Sequence, residues 1–190
     1  YVYLAQLMIN FYEITGEINY LDDAKKIAQE TWNLFYDEEN KILQKNPIKQ
    51  NDLFVPPLDI NDNNIPNGNS IFLLNCKKLE AITNDNKWHV MVKELTQSFH
   101  SFLNLKPTQM ISYIKNLDMC EELTTFTFFG DIKKIKELQK HVMKNYLKSS
   151  TLIYREDPKE SYLVVCKNQT CSNKIKDIDS LRSVVKNYAI

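Results

Sequence analysis

The chain has 190 residues, of which 43% are hydrophobic and 25% are charged, and its formal net charge is zero. This composition allows one large domain, or one medium and one small domain, around a real core. A balanced charge without a long basic run gives no indication of nucleic-acid binding. Because the chain contains 3 glycines, it is a poor candidate for glycine-rich phosphate loops or for β folds with many tight turns.

The N-terminal stretch is apolar but does not resemble a targeting segment. It contains Gln6, Asn10 and Glu13 and lacks a basic leader, and no apolar run approaches the ~20 residues that span a bilayer. We therefore expect a cytoplasmic protein without a membrane segment. The chain begins at Tyr1, inside a helical pattern and without an initiator Met. We expect a piece of a longer protein, and a processed mature chain is the alternative.

Four helices are predicted in two pairs. Residues 1–15 form a helix that is apolar nearly all round, which should be buried on most sides, whereas residues 20–36 carry one apolar stripe. Residues 69–83 and 86–105 repeat this pairing. In a toroid of helical hairpins, the inner helices are buried on most sides and the outer helices on one side only. The alternation of the two helix types therefore fits such a toroid. The pattern predicts a mainly α fold, with a partial (α/α)6-toroid over residues 1–120.

The connections between these helices differ in kind. The acidic turn signal within residues 35–43 predicts a short hairpin or an irregular reversal. Residues 45–66 have no periodicity and contain several prolines, which is typical of a functional or surface-wrapping loop. Pro107 is expected to start another helix through about Leu117.

The hydrophobic period changes after residue 120, and residues 121–190 predict a small α/β C-terminal region. A strand, a helix and a second strand follow one another over a length that favours a βαβ crossover, and hence a short parallel sheet. The predicted elements are strands at 123–129, 151–154 and 162–165, a helix after 131 and a closing helix at 178–188.

The sequence Pro-Asn-Gly-Asn-Ser at residues 66–70 lies at the start of the buried third helix. Pro66 fixes the entry, Gly68 allows a tight turn, and Asn69 or Ser70 can cap the helix, so an ordinary capped start explains the motif. Alternatively, the N-terminus of a buried helix can bind an oxygen-rich ligand, because its N–H groups are exposed there. In a toroid it would lie at the mouth of the central funnel. The candidate ligand-binding residues at this rim are Asp59, Asp62, Asn63, Asn67, Asn69 and Ser70.

Of two catalytic or metal-binding interpretations of this segment, one fails and the other is disfavoured. Residues 59–63 begin like a calcium loop, but Asn64 stands where glycine is needed and Ser70 where a bidentate glutamate is needed. Asp59 and Asp62 could be the paired carboxylates of a glycosidase, but spacing does not show that they face each other. Solvated loop acids are the preferred explanation. We expect no metal and no cofactor, and no catalytic residue can be assigned.

Cys166 and Cys171 frame a loop near the C-terminus. The 4 cysteines of the chain are too few for a disulfide scaffold. The spacing of this pair is not that of a thioredoxin motif, and no second pair completes a zinc site. We expect reduced structural thiols ahead of a local disulfide, with redox or metal roles as further alternatives.

Several of these segments resemble one known family. The stretch from Asp62 to Leu79, headed by Pro-Asn-Gly-Asn-Ser, resembles a Pro-Ser-Gly-Asn-Ser helix start in the thioredoxin-domain-containing spermatogenesis-associated protein family. The segment 162–171 looks like that family's C-terminal cysteine segment, and residues 3–21 are similar to its helical body. The similarity runs through the whole chain in the same order, although Asn67 replaces the usual serine.

The resemblance implies a two-part protein. An N-terminal thioredoxin-like domain would precede a six-hairpin toroid similar to N-acylglucosamine epimerases and six-hairpin glycosidases. This chain would be its C-terminal part, and the absent thioredoxin-like domain and earlier toroid hairpins would be its partners. The region would act on or bind a carbohydrate, by analogy of fold. The alternative is a non-catalytic interaction or scaffold domain for the thioredoxin-like part. The resemblance transfers no catalytic residue.

Overall fold

The computed structural model describes residues 1–48, 60–104, 106–145, 149–168 and 170–187. The chain divides into two compact units, Tyr1–Cys120 and Glu121–Ile190, and the boundary lies where the hydrophobic period changes. The first unit is helical apart from one two-stranded ribbon, and the second has a four-stranded mixed sheet. The fold is therefore mainly helical with a small α/β part.

The helices of the first unit follow the predicted order. The helix expected from Pro107 is replaced by a 3-10 turn, after which a separate α-helix begins at Ile111. The elements in chain order are α1 (Val2–Thr15), α2 (Ile18–Phe35), β1 (Tyr36–Asp37), β2 (Ile42–Leu43), α3 (Gly68–Thr83), α4 (Asn86–Leu103), the 3-10 turn Pro107–Gln109 and α5 (Ile111–Glu121).

The two helical pairs contact each other through the first helix of each pair, α1 and α3. Helix α1 packs on α2 and α3, and α3 packs on α4. Helix α3 is buried nearly all round along its first turns, as its sequence predicts, and Phe72, Leu73 and Leu79 are fully enclosed. Left-handed residues end both α1 and α3, at Gly16 and Asn84, so the chain can reverse into the next helix.

Helix α1 does not match its predicted burial on most sides. Its inner face buries Ala5, Ile9 and Tyr12, because that face meets α2 and α3. The opposite face is open, and the spacing of its apolar residues alternates between three and four, as in the seam of a coiled coil. The exposed fractions are 48% for Leu4, 44% for Leu7, 38% for Phe11 and 52% for Ile14.

The second unit forms its core between one side of a sheet and its helices. Buried Phe126, Leu152 and Leu163 of the sheet pack with Leu138 and Leu181 of the helices. The elements are β3 (Thr124–Phe129), the 3-10 helix Ile132–Ile135, α6 (Lys136–Asn145), β4 (Ser150–Arg155), β5 (Tyr162–Lys167), β6 (Thr170–Cys171) and α7 (Ile178–Asn187).

The prediction of a parallel sheet is confirmed for one pair of strands and wrong for the rest. The strand order is β4-β3-β5-β6, with β3 and β4 parallel and the other neighbours antiparallel. Residues 156–161 separate β4 from β5, and such a short connection cannot provide the crossover of about a dozen residues that parallel strands need. The sheet is therefore mixed.

Gly130 should be indispensable to the second unit. Its φ is +81°, and a Cβ atom there would lie 2.2 Å from the Glu160 carbonyl oxygen. We expect Gly130→Ala to lower the free energy of unfolding by more than about 1 kcal/mol in urea titrations followed by far-UV circular dichroism. Gly68→Ala is the matched control, because a Cβ atom there meets Val2 Cγ2 at an ordinary 3.8 Å. Equal stability of both variants would contradict this account of Gly130.

The open face of α1 should make this chain self-associate, because contiguous exposed apolar side chains favour association. We expect sedimentation equilibrium to show concentration-dependent dimers. Replacing Leu7 and Phe11 together by Gln should raise the dimer dissociation constant by about tenfold or more. Val90→Gln, at another exposed apolar residue (45% exposed), is the control and should leave association unchanged. A wild-type chain that stays monomeric at every concentration would refute this.

Candidate functional site

The start of α3 is built from buried polar side chains. Asn67 is the N-cap residue, and its side-chain oxygen accepts a hydrogen bond from the Asn69 N–H at 2.8 Å. The Ser70 hydroxyl donates to the Asn67 carbonyl at 2.8 Å. The cap is thus Asn67, rather than the Asn69 or Ser70 proposed from the sequence. All three side chains are buried, so the capping bonds replace water at the end of an enclosed helix.

Asp62 joins this helix start to α5. Its carboxylate accepts the Asn67 N–H at 2.8 Å and the Ser112 N–H at 2.7 Å, and it also accepts the Ser112 hydroxyl. A carboxylate that accepts three donors, two of them at the first turn of a second helix, is held firmly in place. This arrangement suits a structural clamp better than a general acid or base.

Asn69 and Ser70 also connect separate elements. The Asn69 side chain accepts the Leu43 N–H at 2.7 Å and donates to the Leu43 carbonyl at 2.9 Å, so it pairs with β2 as a neighbouring strand would. The Ser70 hydroxyl lies 2.7 Å from the Ser112 hydroxyl, and Asn116 donates to the Ser70 carbonyl at 2.9 Å. Both side chains therefore hold α3 against β2 and α5.

Two cavities lie beside this helix start and share Gly68 and Lys45. The larger, here called the amide cavity, has a volume of about 430 Å³ and is lined by Asn61, Asn63, Asn64, Asn67, Tyr3 and Lys45, among others. The smaller, here called the glutamine cavity, has about 210 Å³ and includes Gln44, Lys45, Asn69, Val2, Phe35 and Leu43. The first wall is rich in side-chain amides, and the second is mostly apolar.

One residue in the wall of each cavity has a buried acceptor atom that lacks a partner among the described residues. Gln44 is 6% exposed and its Nε2 donates to Asp37 at 2.7 Å, whereas Oε1 has no hydrogen-bond partner among the described residues. Asn61 Oδ1 is likewise buried and unpaired in the described part of the chain. An unpaired buried carbonyl oxygen is costly, so each of these two atoms carries a local free-energy cost of folding.

Asp37 fixes the orientation of the Gln44 amide. Burial would raise the pKa of the Asp37 carboxyl, but hydrogen bonds from Asn40 and Gln44 outweigh burial and lower that pKa below its ordinary value. The carboxylate therefore stays ionised at neutral pH and can only accept hydrogen bonds. The NH₂ group of Gln44 must face Asp37, which leaves the carbonyl oxygen unpaired.

The predicted rim residues have different locations. Asn63 and Asn67 line the amide cavity and Asn69 lines the glutamine cavity, while Asp62 and Ser70 form the clamps described above. Asp59 lies outside the described residues, so the predicted pairing of its carboxylate with Asp62 is not tested. Sequence reasoning missed Gln44, Lys45 and Tyr3. Gln44 and Lys45 directly follow β2, and their sequence neighbourhood carries no motif.

Cys166 and Cys171 form a disulfide, with their Cα atoms 4.1 Å apart. They are direct cross-strand partners in β5 and β6, which brings the two sulfurs together. The structure thus has the local disulfide and not the reduced thiols that were expected first. Cys76 and Cys120 are buried and take no part in this disulfide. In the described ranges, no group of three or more His, Cys, Asp or Glu side chains is placed to hold a metal ion.

Comparison with known proteins adds no relative. No protein-family model matches the chain, and no curated protein shows significant similarity to it. Within the described residues, no helix has the length and apolar character needed to cross a membrane.

Asp62 should stabilise the first unit through its three donors. We expect Asp62→Asn to lower the free energy of unfolding by about 2 kcal/mol, because hydrogen bonds to an ionised acceptor are lost in a partly buried site. The readout is urea unfolding followed by the fluorescence of Trp32 and Trp88, both in this unit. Asp118→Asn, the same change at an exposed carboxylate of α5, should change stability by less than about 0.5 kcal/mol. Equal effects of the two changes would argue against the clamp.

Proposed function

We propose that the first unit binds a carbohydrate at the amide cavity. The observation that carries this proposal is the set of four asparagine side chains, Asn61, Asn63, Asn64 and Asn67, around one cavity of about 430 Å³. The exposed amides of Asn63 and Asn64 each offer donors and an acceptor, which match the hydroxyl groups of an uncharged sugar, whereas the Asn67 oxygen is already used by the helix cap.

Tyr3 adds an aromatic surface to these amides. Its hydroxyl donates to the Pro66 carbonyl at 2.7 Å, which holds the ring beside the start of α3. An aromatic ring with a fixed polar end suits the apolar face of a sugar next to its hydroxyl groups. The combination of ring and amides favours a carbohydrate over a purely apolar ligand.

Binding is better supported than turnover. Asp62, the nearest described carboxylate of the predicted rim, is engaged by Asn67 and Ser112, and no carboxylate is among the described residues that line the amide cavity. Glycoside hydrolysis uses two carboxyl groups that face the substrate. An epimerase- or glycosidase-like activity, which the resemblance would allow by analogy, has no acid/base pair to support it here.

We also propose that α1 to α4 are part of an (α/α)6-toroid in a longer, cytoplasmic, thioredoxin-domain-containing protein. Adjacent inner helices α1 and α3, each with an outer partner, support this arrangement. In such a protein the open face of α1, with Leu7 and Phe11, would pack against an earlier hairpin. The open face also favours the second candidate function, a scaffold for the thioredoxin-like domain.

A cytoplasmic location has a consequence for the disulfide. Disulfides are rare in the cytosol, and those present there are usually catalytic or redox-sensing. Cys171 is exposed and Cys166 partly buried, so reductants can reach the bond. A thiol-dependent role of this pair is therefore a further candidate, independent of the sugar site.

Titration of the isotope-labelled chain with glucose, N-acetylglucosamine and N-acetylmannosamine, followed by NMR, tests the carbohydrate site. We expect at least one sugar to bind with a millimolar dissociation constant and to shift the Asn63 and Asn64 resonances. Asn63→Leu should weaken binding about fivefold or more, because one hydrogen bond is lost. Asn173→Leu, at an exposed asparagine of the second unit, is the control. Absence of saturable binding by all three sugars would overturn the proposal.

A further inference from the structure

We infer that a third cavity, between the end of α2, the β1–β2 turn and α4, binds a free amino acid with an apolar side chain. The inference is independent of the proposed carbohydrate site, because no described residue lines both this cavity and the amide cavity. Its volume of about 540 Å³ lies within the roughly 300–1,000 Å³ that is typical of small-molecule sites. We call it the stacking cavity, and its wall includes Trp32, Tyr36, Glu38, Lys41, Met91 and Glu94.

The first support is an aromatic wall that is held in position. The Trp32 ring stacks on the Tyr36 ring, with the ring centroids 3.6 Å apart, and also on the buried Phe72 ring at 6.0 Å. The Tyr36 hydroxyl donates to the Oε2 atom of Glu94, which fixes the polar end of the ring. Met91 adds an adaptable thioether to the same wall. The rings and the thioether therefore form a preorganised apolar surface for the side chain of a ligand.

The second support is the pair of carboxylates beside Tyr36. Glu94 uses Oε2 for the Tyr36 hydroxyl, and its Oε1 has no hydrogen bond or ion pair within the described residues. Burial and the hydrogen bond to Glu94 raise the pKa of Tyr36 well above its ordinary value, so the hydroxyl stays protonated and keeps Glu94 in place. The charge of Glu38 raises the same pKa further, so this carboxylate also lies near the hydroxyl. Two carboxylates at one position suit an ammonium group, which donates three hydrogen bonds.

The third support is a lysine that can pair with a carboxylate. Lys41 lies in the β1–β2 turn, where its N–H donates to the Asp37 carbonyl at 2.7 Å, and in the described ranges its ammonium has no ion-pair partner. Lys87, a second lysine of the cavity wall, is already engaged. Its Nζ lies 4.6 Å from the centroid of the Trp88 ring and 3.6 Å from the Asp85 carboxylate. Lys41 is therefore the cation available to a ligand in the described part of the wall.

The charges of the wall determine the class of ligand. Glu38 and Glu94 are balanced by Lys41 and Lys87, so the described wall has no net charge. A ligand with a single charge would meet a group of like sign as well as its partner. A zwitterion pairs with both, and an apolar side chain would cover the aromatic wall. An ammonium, a carboxylate and an apolar side chain are together the three parts of a free amino acid.

Four forms of one amino acid test this assignment. The probes are L-leucine, leucinamide without the carboxylate, N-acetylleucine without the ammonium, and N-acetylleucinamide without either charge. The isotope-labelled chain is titrated with each, and the indole N–H signal of Trp32 is followed by NMR. We expect leucine to bind with a millimolar dissociation constant and each blocked form to bind about fivefold or more weakly, because a charge-assisted contact is lost. N-acetylleucinamide also represents an internal peptide segment, so equally tight binding of this probe would refute a free amino acid.

Two variants assign the charged contacts separately. Glu94→Gln, which can still accept the Tyr36 hydroxyl, should remove the preference for leucine over N-acetylleucine. Lys41→Met should remove the preference over leucinamide, and each variant should keep the other preference. Glu30→Gln and Lys26→Met, at exposed positions of α2 outside the cavity, are the matched controls and should keep both.

The outcomes are distinct from those of the sugar titration, which is followed at Asn63 and Asn64. Absence of saturable leucine binding would overturn the inference and leave the amide cavity unaffected. Preferences that persist in both Glu94→Gln and Lys41→Met would likewise overturn it. Circular dichroism checks that both variants fold. Should either fail to fold, the four probes on the wild-type chain decide, because equal binding of all four contradicts a zwitterion site.

Discussion

The first unit depends on the hydrogen bonding of one buried helix end. Helix α3 is enclosed along its first turns, so its terminal N–H groups and the carbonyls beside them cannot turn to water. Side chains from the neighbouring segments replace that water, with Asp62 at the centre. Each replacement comes from a different element, so these hydrogen bonds also join α3 to the loop that precedes it, to β2 and to α5. The hydrogen bonds that cap α3 therefore also hold the elements of the first unit together.

The hydrogen bonds at the start of α3 distinguish polar groups with a structural role from groups that can bind a ligand. The buried polar side chains of the motif, Asn69 and Ser70, already have protein partners. Ligand contacts are therefore left to the residues beside them, such as the exposed Asn63 and Asn64. The Pro-Asn-Gly-Asn-Ser motif marks the location of the site because it builds the wall between the two cavities. Four of its residues line the cavities, but the side chains of Asn67 and Asn69 are already engaged in hydrogen bonds within the protein.

The sequence predicted those features that periodicity records directly. Helices α1 to α4 and strand β3 carry periods that reflect local geometry, and their locations were predicted to within a few residues. Features that depend on distant partners were not accessible in this way. An apolar pattern all round α1 does not reveal that one face is left open, and a spacing of five residues between Cys166 and Cys171 permits a disulfide only if the strand register aligns them.

The candidate site shows the same division. Asparagines at 63 and 67 could be selected because they flank a recognisable helix start, whereas Gln44 is one polar residue after a short hairpin. Its significance comes from burial and from the ionised Asp37 that orients it, and neither can be read from neighbouring letters. Isolated buried polar residues are the class that a pattern-based prediction misses, because a pattern cannot show which groups they meet.

A few buried polar atoms are exceptions to the rule that buried polar groups have hydrogen-bond partners. Three such side-chain atoms occur in the described residues, on Gln44, Asn61 and Trp88. Trp88 is fully enclosed in the core, where packing of a large ring can offset one unpaired indole N–H. Gln44 and Asn61 instead line the two cavities on either side of Gly68, and both unpaired atoms are acceptors. Each of these two oxygens has almost no accessible surface, so neither can accept a hydrogen bond from a molecule in its cavity unless the surrounding side chains move.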